Sequence, residues 1–212
     1  MGETLERHKR AELFKKRLQR QPPSRHATRK GLTGKLRGLR VAAAFLCFSW
    51  MLYGQQSTAN EYQIKATYLY DFSRFVEWPA QPATGNQPFG ICVLGTDPFG
   101  QALDAVLSGE RVGARDLVAR RISNPQEAGG CQILFVSASE QKRLKDILTA
   151  LNNSSVLTVS DIPAFSEHGG MIGFVVDSGK VRFEVNLKRA SDAGLTLSAD
   201  LLKVAVSVRR DS

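Results

Sequence analysis

Apolar and polar positions change period several times along this 212-residue chain, and each change marks a predicted element. The most telling segment runs from Glu61 to Pro79, EYQIKATYLYDFSRFVEWP, where Ile64, Tyr68, Phe72, Phe75 and Val76 recur at spacings of four, four, three and one. That spacing predicts a helix with one aromatic face, and places Lys65, Asp71, Arg74 and Glu77 mostly on its other faces. Pro79 supplies no N–H and holds Trp78 extended, so the helix is expected to stop near Glu77. By itself such a stripe says only that the helix packs against a core.

After a polar loop over Gln81 to Pro88, the continuous apolar run Phe89 to Gly95 has the character of a strand buried on both faces. Asp97 before Pro98 reads as an N-cap opening a helix with Phe99, Leu103, Ala105 and Val106, which Ser108-Gly109 should end. Val112 and the segment Leu117 to Ile122 predict further extended chain. Asn124-Pro125 and Gly129-Gly130 then break it before a second buried strand, Cys131 to Val136. Ser139 is a candidate cap for a helix whose apolar face is Leu144, Ile147, Leu148 and Leu151. Val156 to Val159 is a third strand. Met171 to Val176 and Lys180 to Asn186, joined by Asp177-Ser178-Gly179, form a predicted hairpin. A short helix over Lys188 to Ala193 and a last one from Ser198 to about Val208 complete the chain.

Strands alternating with helices, then a hairpin and a helix, predict an α/β single-domain sandwich. Its sheet is mixed and largely parallel, flanked by helices, with the C-terminal β-hairpin at one edge.

Charge changes the picture through its location. The formal net charge is +9, yet residues 1–40 hold 13 of the 29 Lys and Arg and only 3 of the 20 Asp and Glu. From Asn60 onward the chain is close to neutral, which removes the case for a nucleic-acid partner. Val41 to Leu52 is a twelve-residue apolar run behind Lys35, Arg37 and Arg40, and Ser57-Thr58-Ala59 supplies small residues at the cleavage positions. This is the pattern of a secretory signal peptide cut after Ala59, and it is short for a membrane span of roughly 20 residues. The expected organisation is a basic leader over 1–40, with initiation near Leu32 or Leu36 as one explanation of its length. The signal segment over 41–59 and one domain over 60–212 follow. The expected location is periplasmic, with an uncleaved inner-membrane anchor as the alternative.

Candidate chemistry is sparse. His168, beside Glu167 and Gly169-Gly170, is the one histidine after the leader, too little for a catalytic triad or, with two cysteines, a zinc or iron–sulfur set. The chain is expected to be no enzyme and to carry no metal or cofactor. The turn Gly95 to Gly100 lies between a strand and a helix, where Gly95, Thr96, Asp97 and Gly100 are candidates for holding an anion, although a plain helix start accounts for the same residues. Cys92 and Cys131 lie in neighbouring predicted strands and are the two cysteines that survive leader removal. Export predicts a disulfide between them, and two buried thiols are the alternative. Arg182, Glu184 and Asn186 project together at period two from the second hairpin strand and are candidates for a partner surface.

Taken in order, KATYLYDFSRFVEWP, ICVLGTDPFG, CQILFVSASE, VLTVSD, GGMIGFVVDSGKVRFEVNLKRA and AGLTLSADLLKVAV resemble the YfiR-like family of periplasmic regulatory proteins over essentially all of Glu61 to Val208. The resemblance implies a non-enzymatic repressor of an inner-membrane diguanylate cyclase, acting on the periplasmic sensor domain of that partner. An outer-membrane lipoprotein with a peptidoglycan-binding domain would sequester it, and cyclic-di-GMP, exopolysaccharide and biofilm formation would respond. It also implies the Cys92–Cys131 pair. A second disulfide of the family has no counterpart, since Ser166 to Gly173 contains no cysteine, which favours a structural bridge over redox switching. A homodimer is a further expectation. The alternative function is a periplasmic small-ligand-binding protein without a cyclase partner.

Overall fold

The computed structural model describes residues 42–79 and 87–210 together with Glu12 and Lys16, with side chains in the first helix described from Thr58. The basic leader, apart from those two residues, and residues 80–86 of the predicted polar loop lie outside the described residues.

The first helix, α1 (Ala42–Phe75), runs without a break from the apolar leader segment into the aromatic stripe. Among the described residues no helix is long and apolar enough to cross a membrane. Tyr68 and Phe72 are buried and meet Phe174 and Phe183 at ring separations between 5.2 and 6.0 Å. Removing one such ring, fully buried at Phe72, costs about 3–5 kcal/mol. The helix ends at Phe75, ahead of the expected stop near Glu77. Val76–Glu77 instead form β1, antiparallel to β9 (Thr196–Leu197), and the Phe75 carbonyl accepts from the Ser198 N–H at 2.9 Å. Partner backbone at that point wins over continued helix. The expectation that Lys65 and Asp71 avoid the buried face is also corrected, since they are 2% and 7% exposed.

The sheet is built from β2 (Phe89–Leu94), β3 (Arg111–Val112), β4 (Arg115–Ile122), β5 (Ile133–Val136), β6 (Leu157–Ser160), β7 (Ile172–Asp177), β8 (Lys180–Asn186) and β10 (Ser207–Arg209). Their spatial order is β10-β8-β7-β6-β5-β2-β4-β3. Parallel pairing links β4, β2, β5, β6 and β7. The hairpin β7–β8 is antiparallel, and the turn residues Ser178 and Gly179 have φ of 51° and 74°. Positive φ at both central positions is the tight turn whose twist suits a two-residue hairpin.

Alternate residues of the central strands feed two cores, as expected of a sheet covered on both faces. Ile91, Val93, Ile133 and Phe135 join α1, α2 (Gln101–Leu107) and α5 (Ala199–Val204) in one core. Cys92, Leu94, Leu134 and Val136 face α3 (Leu144–Ala150) in the other, where Leu144, Ile147, Leu148 and Leu151 are buried as the pattern predicts. Together these form a single α/β domain with a mixed, mostly parallel sheet.

Four boundary expectations are corrected. Asp97 does not cap α2. Its Oδ1 accepts from the Phe99 N–H at 2.8 Å and shapes the preceding turn, and Gly100, with φ of 54°, is the residue at the cap. Ser137, in place of Ser139, caps the 3-10 turn Ala138–Arg143 that leads into α3. The hairpin is not at the edge, because β10 adds in parallel to the outer side of β8. The terminal helix stops at Val204 for the same reason. Val204, Val206 and Val208 alternate at period two, and an open flank of β8 turns the last of them into strand. The short predicted helix near Lys188 is present as α4 (Leu187–Asp192).

Candidate functional site

Cys92 lies in β2, and the 3-10 turn Pro125–Gly130 delivers Cys131 beside it. That turn is fixed by a capping box in which Asn124 and Glu127 satisfy one another's backbone N–H groups. The two cysteines are disulfide-bonded, with Cα atoms 5.8 Å apart across 39 positions of chain, and they are 0% and 3% exposed. Burial in the core against α3 makes this a bridge inside the domain, out of reach of soluble thiols.

The Gly95 to Gly100 turn lies between β2 and α2, as expected, and three of its backbone donors bond within the chain. Gly95 N–H donates to the Ile122 carbonyl at 3.3 Å, Thr96 N–H to Ser139 Oγ at 3.0 Å, and Phe99 N–H to Asp97. A Cβ on Gly95 would collide with the Glu140 carboxylate and Ser139 Oγ, so these side chains already cover the turn. Asp97 and the Gly100 carbonyl are both taken by Arg121, which also bonds Asp104 in a bidentate pair. The guanidinium holds the Asp104 carboxyl below its ordinary range, chiefly through that hydrogen bond.

Arg182, Glu184 and Asn186 share the face of β8 that points away from α1. Asn186 is buried, donating from Nδ2 to the Ser166 carbonyl at 2.9 Å and accepting the Arg189 N–H as the cap of α4. Glu184 is half-buried and accepts from Ser166 Oγ at 2.9 Å. Arg182 is half-buried, and its Nε is enclosed without a hydrogen-bond partner. The three are thus brought to one face and do different things there. His168 is exposed on the neighbouring loop. Among the described residues, no group of three or more His, Cys, Asp or Glu is placed to hold a metal ion.

Two features escaped the sequence. The first is an ionic cluster under the start of the domain. Lys65 Nζ lies 2.6 Å from Asp161 Oδ2 and 2.7 Å from Glu61 Oε1, and stands 4.3 Å over the Tyr62 ring. Tyr62 OH donates to the same Asp161 oxygen at 2.8 Å. Burial, then that hydrogen bond, pushes the Tyr62 phenol above its ordinary range. The Glu61–Lys65 spacing was legible as an i,i+4 pair, whereas Asp161 is 96 positions away and no local pattern could reveal it.

The second is a cavity of about 640 Å³ between the end of α1, β1, β3 and α5, lined among others by Arg74, Arg111, Glu77, Asp200, Val76 and Val112. Arg74 donates to Tyr70 OH at 2.6 Å, and that hydroxyl donates to Glu110 Oε2 at 2.6 Å. The guanidinium also lies 5.4 Å from the Tyr70 ring.

No curated protein matches the chain. Among solved structures, a conserved domain protein from Vibrio cholerae O1 biovar El Tor is 11% identical with a TM-score of 0.44, covering 57% of this chain and 54% of that one. An ABC domain from Streptococcus pneumoniae in complex with L-Trp is 13% identical with a TM-score of 0.43, covering 57% and 55%. The match thus takes in little more than half the length of either, and likeness at this level carries no functional argument. A family model described as YfiR/HmsC-like matches residues 62–206. That span begins at Tyr62 of α1 and ends next to β10, so it takes in both cores and the disulfide. The chain therefore belongs to the YfiR/HmsC-like family, whose general role is regulation in cyclic-di-GMP signalling.

Proposed function

We propose that this chain is a periplasmic, non-enzymatic regulator that represses an inner-membrane diguanylate cyclase by direct contact with its periplasmic sensor domain. An outer-membrane lipoprotein then relieves repression by sequestering it. The observation that carries this reading is the family match over residues 62–206, which takes in nearly all of the described domain. Export would follow cleavage after Ala59, and exposure of Thr58, Ala59 and Asn60 on α1 is compatible with access by a protease.

The proposed contact surface is the β8 face. Arg182, half-buried on that face, is the cation an acidic side chain of the cyclase would meet in a charge-assisted hydrogen bond. Glu184 borders the same surface, and Asn186 supports it from beneath by capping α4.

The test is co-purification from crosslinked membranes of the native host, with cellular cyclic-di-GMP measured in parallel. Arg182→Glu is expected to lose the cyclase from the eluate and to raise cyclic-di-GMP to the level of a deletion strain, while still melting cooperatively as a folded protein. An Arg182→Glu protein that still retains its partner and represses normally removes this face from the account. A wild-type eluate without any diguanylate cyclase removes the regulator reading itself.

A further inference from the structure

The cavity beside Arg74 is separate from the β8 face and from the disulfide, and its lining is amphoteric. Arg74 and Arg111 supply two guanidinium groups, linked through the Tyr70–Glu110 bond that ties the end of α1 to the residue preceding Arg111. Asp200 supplies a carboxylate from the wall formed by α5, Glu77 stands at β1, and Val112 adds apolar surface.

Arg74 is held in advance of any ligand. Its Nη1 donates to Tyr70 OH and its Cζ stands 5.4 Å from the Tyr70 ring centre, which leaves its other N–H groups for a carboxylate. Arg111 is fixed by Asp116 at 3.0 Å, an ion pair whose side chains are 55% and 68% exposed. Such a pair is worth little in water and yields readily to a better acceptor. Asp200 is held as loosely, by Lys203 at 3.4 Å, and a ligand that bears one charge only would meet a group of its own sign on this lining. One with an anionic and a cationic end satisfies both. At about 640 Å³ the cavity also falls in the size range of sites that enclose whole small molecules, with room beyond a single pair of charges.

We propose that this cavity binds short peptides with free termini, two to four residues long. The C-terminal carboxylate lies between Arg74 and Arg111, the α-ammonium group lies toward Asp200, and the side chains rest on Val112. This goes beyond the regulator reading and does not depend on it, since occupancy is measured on the purified protein.

The experiment is a calorimetric titration of the full chain with trialanine, N-acetyl-trialanine, trialanine amide and succinate as separate probes. Trialanine is expected to bind saturably, and either blocked form to bind at least tenfold more weakly. Succinate, with two anionic ends, should fall below both. Arg74→Gln, Arg111→Gln and Asp200→Asn should each weaken trialanine at least tenfold, with Lys145→Gln, exposed on α3 away from the cavity, as a control that leaves it unchanged. Because Asp200 and Arg111 lie at the surface of the cavity, circular dichroism should return the wild-type melting curve for both variants. Absence of saturable trialanine binding overturns the proposal. So does binding that is undiminished in either blocked form, or that is indifferent to all three cavity substitutions.

Discussion

Lys65 offers the sharpest test of how the domain is held together, because its charge is placed where a helix face would ordinarily be apolar. Its side chain is 3% exposed and that of Asp161 is 11% exposed. Replacing Lys65 with Met keeps most of the volume and removes the cation. Asp161 then retains the Tyr62 hydroxyl on Oδ2, while its Oδ1 is already buried without a partner. Breaking a buried pair by deleting one member costs about 3–5 kcal/mol, since the remaining charge is left without compensation. For a domain of this size each kcal/mol moves the melting temperature by about 2–4 °C, so Lys65→Met should lower it by roughly 6–20 °C. The double variant Lys65→Met/Asp161→Leu removes both charges. It should recover most of the loss, because a buried ion pair replaced by well-packed apolar groups is often neutral in stability. Thermal unfolding followed by circular dichroism at neutral pH reads both. A single variant that melts within about 2 °C of wild type, or a double variant no better than the single, would refute the claim that Asp161 depends on Lys65.

Three further outcomes follow from the same structure. Cys92→Ala/Cys131→Ala should lose about 4 kcal/mol, the chain-entropy value for closing a loop of 39 positions, read as a lower midpoint in urea titration; an unchanged midpoint contradicts the bridge. Tyr62 and Tyr70 have phenols raised by burial and by hydrogen bonds to Asp161 and Glu110 respectively. A raised folded pKa adds stability that is whole below the unfolded value near 10 and is lost as pH climbs above it. Stability should therefore fall through the alkaline range above pH 10, less steeply in Tyr62→Phe, and a Tyr62→Phe profile identical to wild type rejects this assignment. N-terminal sequencing of periplasmic protein should begin at Asn60; recovery of residues 1–40 in a membrane pellet would replace export with anchoring.

Much of the fold was legible because its signals are local. The buried runs Phe89 to Leu94 and Ile133 to Val136, the α3 face and the Asp177 to Gly179 turn each carry their own period or turn chemistry within a few residues. What escaped depends on partners remote in sequence. Val206 to Val208 read as helix because nothing nearby announces the free flank of β8. Lys65 read as a polar-face residue because its main partner is Asp161. The candidate site divides along the same line. Cys92 and Cys131 were legible from strand placement and from export. The Gly95 turn looked like an anion cradle because sequence cannot show that Ser139 and Glu140 occupy it. Arg182, Glu184 and Asn186 do share a face, as period two requires, but β10 and the Ser166 loop decide how much of each meets solvent. The amphoteric cavity draws on α1, β1, β3 and α5 and had no sequence signal.

Contact with a cyclase is the central claim, and site-specific photocrosslinking tests it most directly. A photoreactive amino acid placed at Arg182 in the native host is irradiated in living cells, and the crosslinked product is identified by mass spectrometry. The account predicts one dominant partner, an inner-membrane protein with a periplasmic sensor domain and a diguanylate cyclase domain, and loss of that crosslink in a strain lacking the cyclase. A product that contains no such protein, together with unchanged cyclic-di-GMP on deleting this chain, would contradict it.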